Sequence, residues 1–94
     1  MNNVERVTQA LAAAKQWLFQ RKRAYQITFG RDVHKTVLRD LAEFCRAHEN
    51  TFHPDPRVEA RLDGRREVWL RIQQHLKLSE EELWELYRKD KPNV

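Results

Sequence analysis

Apolar residues recur at helical spacing along most of the chain. Val4, Val7, Leu11, Ala14, Leu18, Tyr25 and Phe29 fall within a sector about 80° wide at 100° per residue, which predicts a first helix over about residues 4–28 with one packed face. Lys22 breaches that sector inside the basic run at 21–23. Either its aliphatic stem covers the core while the ammonium escapes to water, or the helix bends there. Gly30 offers a helix end able to take positive φ, and Asp32 a cap for the next helix. A second helix is expected over about 33–48, with Val33, Val37, Leu41, Phe44 and His48 on one face, Leu38 and Cys45 beside them, and Asp40 in the middle.

The stretch ENTFHPDP, residues 49–56, holds two prolines with Asn and Asp, so it reads as an ordered connecting loop anchored by Phe52. Asp55 before Pro56 marks a helix start, since proline in the first turn forgoes an amide that would have no intrahelical partner. Beyond it Val58, Leu62, Trp69, Ile72 and Leu76 share a face with Val68 at its margin, and the register runs unbroken across Gly64. That predicts one long third helix, with a bend or a close backbone approach at the glycine. Ser79 and Glu82 match a capping box, and Leu83, Leu86 and Tyr87 supply the apolar side of a short last helix.

The expected fold is all-α: a single four-helix domain over 1–94 with a long N-terminal helix, a Pro-containing central loop and a short C-terminal helix. Residues 1–3 and 89–94 lack the apolar period and are expected to fray. Ninety-four residues allow one modest core, and a composition 40% apolar with only two glycines and three prolines favours collapse over disorder. The net charge of +4 sets eighteen Lys and Arg against fourteen acids, too balanced for a protein that coats nucleic acid. One cysteine rules out an intrachain disulfide framework. No membrane span or secretory signal is read, so an intracellular location is expected when the chain is made.

Four pieces of the sequence carry a resemblance: YQITFG at 25–30, VLRDLAEFCRAHENTFHPDP at 37–56, GRREVWLRI at 64–72, and Leu-Ser-Glu-Glu at 78–81. In order and wording, over about residues 25–87, the chain resembles a family of short proteins of tailed bacteriophages and prophages. The resemblance implies phage origin and a place in the virion or its assembly. It implies no catalytic residues.

Candidate chemistry is read from position. Asp40 and Arg65 each interrupt the apolar stripe of their own helix, where an unpaired charge would be costly, and are expected to form a structural ion pair between helices two and three. Lys15, Arg21, Lys22, Arg23 and Arg31, extended by Arg66 and Arg71, form a phosphate-binding candidate, diluted by Glu59, Asp63, Glu67 and the acidic start of the last helix. Trp17, Phe19, Trp69 and Trp84 are the candidate protein interface, tryptophan being a frequent anchor of such surfaces. Cys45, His48 and His53 have some of the spacing of metal ligands. A structural zinc site needs about four ligands and His34 lies too far along the helix, so no metal or other cofactor is assigned.

There is no glycine-rich phosphate loop or zinc-protease pattern, and the only serine, Ser79, is a cap, so no enzyme is expected. The leading expectation is a noncatalytic phage protein that binds other proteins, of the phage or its host, with self-association as one form of that binding. Its expected location is the host cytoplasm or the virion. The competing expectations are a nucleic-acid-binding accessory protein and an inhibitor of a host enzyme or defence protein.

Overall fold

The local signals at helix ends are realised in the computed structural model, which describes residues 2–31 and 35–90. Four helices follow one another, with no strand among the described residues: α1 (Asn3–Phe29), α2 (Lys35–Phe44), α3 (Pro56–Lys77) and α4 (Glu80–Asp90). Asn2 caps α1 by accepting the Glu5 N–H at 2.8 Å, so the helix reaches into the segment expected to fray; α4 likewise includes Lys89 and Asp90. Asp55 accepts the Arg57 N–H at 2.9 Å ahead of Pro56. Ser79 and Glu82 form a reciprocal capping box, with bonds of 3.1 and 3.2 Å. The expected roles of Asp32, Val33 and His34 lie outside the described residues.

The ends of α1 and α2 depart from expectation. Gly30 closes α1 at φ −80°, an ordinary helical conformation, with its N–H bonded to the Gln26 carbonyl at 2.8 Å. Close approach, and not positive φ, is what selects glycine there, because a β-carbon would collide with that carbonyl. Helix α2 stops at Phe44, four residues early, because Arg46 turns left-handed at φ 52°. The Ala47 N–H then reaches the Ala42 carbonyl at 2.9 Å and the Arg46 N–H the Glu43 carbonyl at 3.2 Å, a Schellman closure with arginine where glycine is usual. Arg46→Gly should therefore stabilise the domain by about 1 kcal/mol. The exposed Arg46–Glu49 pair that it removes, at 3.6 Å, offsets little of this, and urea denaturation reads the balance.

Helix α3 passes through Gly64 without interruption, and a β-carbon there would have nothing within 4 Å. Neither a turn nor a neighbouring backbone of this chain requires the glycine. Gly64→Ala should add about 1 kcal/mol of stability. In thermal denaturation that corresponds to a rise of roughly 4–8 °C in Tm for a domain of this size.

Helices α1 and α3 run antiparallel. Lys22 meets His75 and Leu78 near the end of α3, whereas Tyr25 and Phe29 share a groove with Val68 and Ile72 further back. Helix α4 also packs on α1, with Lys15 over the Trp84 ring, and α2 packs on the first half of α3. At about 1.5 Å per residue α1 is roughly 40 Å long and outruns this contact. Its stripe is covered from Ala14 onward, while Val4, Val7 and Leu11 are exposed, which corrects the expectation of one packed face along the whole helix. The radius of gyration is 16.9 Å and the extents 54 × 36 × 15 Å. A compact chain of this length would have a radius of about 12–13 Å.

The apolar core is correspondingly small: Leu18 of α1, Cys45 after α2, Leu62 and Ile72 of α3, and Leu83 of α4. Phe52 is 67% exposed and does not anchor the loop. The loop is held by its own polar groups, with the Phe52 N–H donating to Asn50 Oδ1 at 2.8 Å and the Asp55 N–H to His53 Nδ1 at 3.0 Å.

Candidate functional site

The seam between α1 and α3 is built around two polar residues. Lys22 is only 8% exposed, yet it continues the apolar stripe of α1 and is directed inward by it. Its Nζ donates to the His75 carbonyl at 3.0 Å and to the Leu78 carbonyl. The last carbonyls of a helix have no intrahelical partner and lie at the negative end of its dipole, so a buried ammonium from a neighbouring helix serves as their cap. The ammonium does not escape to water as one reading of Lys22 expects, α1 continues without a break through the position where the other expects a bend, and the charge is committed to these carbonyls instead of to a phosphate.

His75, 2% exposed, fills the adjoining position. The Arg21 Nε–H can only donate, so His75 Nε2 accepts it at 2.9 Å; Nδ1 therefore carries the proton and donates to the Arg71 carbonyl at 2.7 Å. Accepting from Arg21 requires the neutral ring, whereas the bond to the Arg71 carbonyl is open to either protonation state. Burial, and then the nearby charges of Arg21, Arg71 and Lys22, hold its pKa below the ordinary histidine value against a raising contribution from the Arg71 carbonyl. Tyr25 stacks on the ring with centroids 4.3 Å apart and is itself tilted against Phe29. Sequence reading did not single out His75. Its signal was present, three residues after Ile72, one step round α3 from the stripe that was read.

The remaining basic candidates separate into internal and external groups. Arg21 is half-buried, with its guanidinium 4.5 Å from the Trp17 ring, and its pKa is lowered by burial and then by Arg71. Arg66 is half-buried and donates to the Ala47 carbonyl at 3.2 Å, tying α3 to the turn after α2. Lys15, Arg23, Arg31 and Arg71 are exposed. Lys15 and Arg23 line a shallow groove that Glu80 also enters, so no unbroken basic track forms there.

Asp40 and Arg65 do not pair. Asp40 is exposed, and among the described residues no ion pair joins it to Arg65, whose guanidinium lies 4.2 Å from the centre of the Phe44 ring. The flat cation satisfies its interrupted stripe by covering an aromatic face. Cys45 is buried, His48 is exposed and His53 accepts a loop N–H; no group of three or more His, Cys, Asp or Glu able to hold a metal occurs among the described residues.

Of the aromatic candidates, Trp17 is 54% exposed. Phe19, Trp69 and Trp84 are half-buried, Trp84 stacked on Tyr87 with centroids 5.9 Å apart. Among the described residues ten large hydrophobic side chains are exposed against five buried apolar ones. The exposed set includes Val4, Val7, Leu11 and Trp17 on α1, Ile27 near its end, and Val68 and Leu70 on α3.

Residues 20–88 match the profile of the family described as Bbp19-like phage protein. The chain belongs to this family. The match takes in Lys22, His75, all of α2 and α3 and most of α4, and it leaves out α1 before residue 20, the exposed Val4, Val7, Leu11 and Trp17 together with the buried Leu18. It also covers all four sequence pieces that carried the resemblance to tailed-phage proteins. In this Bbp19-like phage protein the family-matched segment thus holds the core residues except Leu18, which precedes it on α1. No curated protein and no solved structure matches the chain.

Proposed function

We propose that this phage protein is noncatalytic and acts by binding other proteins in virion structure or assembly, in the host cytoplasm and then in the particle. The observation that carries the reading is the imbalance between core and surface. Single exposed apolar residues are ordinary, but here the apolar stripe of one helix leaves the core and continues uncovered through Leu11, Val7 and Val4, with Trp17 beside it. A helix that presents such a stripe is suited to lie against another protein. The noncatalytic part of the reading is supported by His75, whose pKa is lowered by burial and whose two ring nitrogens are both committed to structural bonds. No helix among the described residues is long and apolar enough to cross a membrane.

Quantitative mass spectrometry of purified virions and of precursor particles from infected or induced cells tests this. A fixed copy number in either particle supports the reading. Recovery only with one host protein would replace it with host inhibition, and recovery only in salt-sensitive complexes with nucleic acid would replace it with an accessory role there.

A further inference from the structure

Between the second half of α1 and the middle of α3 lies an open groove of about 340 Å³ whose walls include Tyr25, Phe29, Val68 and Ile72. Its surface is predominantly apolar, and Val68 is half exposed along it. At its edge stands Arg71. Arg71 makes no side-chain hydrogen bond or ion pair among the described residues, and Arg21, close enough to repel it, uses only Nε, on His75, and one face, on Trp17. Among the described residues neither guanidinium forms an ion pair, not even Arg71 with Glu67 one turn before it on α3, although the chain carries fourteen acids. An unpaired arginine pair at the edge of an apolar groove is complementary to a ligand with an apolar group next to an anion.

We propose that this groove docks a segment of a partner protein that inserts an apolar side chain between Tyr25, Phe29, Val68 and Ile72 and sets an adjacent carboxylate against Arg71, with Arg21 behind it. The inference rests on the protein-binding reading above and names the chemistry of the partner. A carboxylate fits better than a nucleic-acid backbone for two reasons. A polyanion needs a run of cations, whereas Lys22 is consumed inside the seam and Glu80, Glu81, Glu82 and Glu85 lie on α4, packed on the same helix α1. The groove walls are also predominantly apolar, a surface that a phosphate chain would leave uncovered.

The test uses 3-phenylpropionate and its uncharged amide as probes, followed by amide chemical shifts of the full chain. The acid should shift Tyr25, Thr28, Val68 and Ile72 saturably, and the amide should bind about fivefold more weakly, the upper end of the loss expected for one solvent-exposed ion pair. In Arg71→Gln, which removes no internal contact of that side chain, acid and amide should bind alike. Equal binding of acid and amide to the native chain would overturn the proposal, as would shifts confined to other surfaces. A short oligothymidylate that shifts the same residues more tightly than the acid would also overturn it, in favour of nucleic acid. If the acid and amide bind alike while the protein is found at fixed copy number in virions, the groove assignment fails and the protein-binding reading stands.

Discussion

Lys22→Met is expected to lower the free energy of unfolding by about 2–4 kcal/mol, from the loss of two charge-assisted hydrogen bonds to carbonyls that have no other partner. Methionine keeps most of the aliphatic stem, so the apolar contact with the stripe of α1 survives and the measurement isolates the ammonium. The bond to the His75 carbonyl is buried and the bond to the Leu78 carbonyl partly so, which places most of the cost on the former. For a domain of this size the total stability is on the order of 5–14 kcal/mol, so such a loss is a substantial part of it. Urea denaturation with an unchanged m-value would read it directly. A loss below about 0.5 kcal/mol would mean that the ammonium is solvated in the folded chain, as an ordinary surface lysine is.

The second large effect is a loss of stability in mild acid that originates at His75. Burial and three neighbouring cations hold its folded pKa below the ordinary value, so between the two values the unfolded chain binds a proton that the folded chain refuses. The contribution is complete above about pH 6.5 and is lost as pH falls from there through the lowered folded pKa. The slope from this one group reaches at most about 1.4 kcal/mol per pH unit. Protonation would place a hydrogen on Nε2, facing the Arg21 Nε–H, in a seam that already holds Lys22 and Arg71. His75→Gln can both accept from Arg21 and donate to the Arg71 carbonyl without titrating. Comparing unfolding midpoints at pH 7.5 and 5.0 should show a smaller fall in the variant than in the native chain. Equal falls would remove His75 as the origin.

Both effects arise where sequence reading was weakest, and the reason is physical. Caps were legible because they are local: Asp55 with Arg57, and Ser79 with Glu82, bond within three residues. Helical periodicity likewise placed all four helices, because it depends only on which positions face inward. It does not say what they face. Lys22 was visible as a breach in the stripe, but the carbonyls that receive it lie 53 and 56 residues away. The expected Asp40–Arg65 pair rests on the same kind of sign, and there Asp40 is exposed and the breach at Arg65 is resolved by Phe44, whose ring that cation covers. The early stop of α2 had no glycine to announce it, because an arginine adopts the left-handed turn. The uncovered half of α1 was hidden for a third reason: a stripe looks the same whether its partner lies in the same chain or in another.

That last ambiguity joins the fold to the function. The family-matched segment folds around Lys22 and His75, and α1 projects from it with Leu11, Val7 and Val4 uncovered, in a molecule longer and flatter than its length requires. On the protein-binding proposal the projecting stripe is an interface awaiting a phage protein, not an unfinished core. The most direct measurement is affinity isolation of the full chain from infected or induced cells, native against a Val7→Glu, Leu11→Glu double variant, with mass spectrometry of what is retained. Both side chains are exposed, so the variant should keep its helix content and Tm. Phage structural or assembly proteins should be retained by the native chain and lost from the double variant. Retention of the same proteins by both, or retention of no phage protein by either, would contradict the proposal.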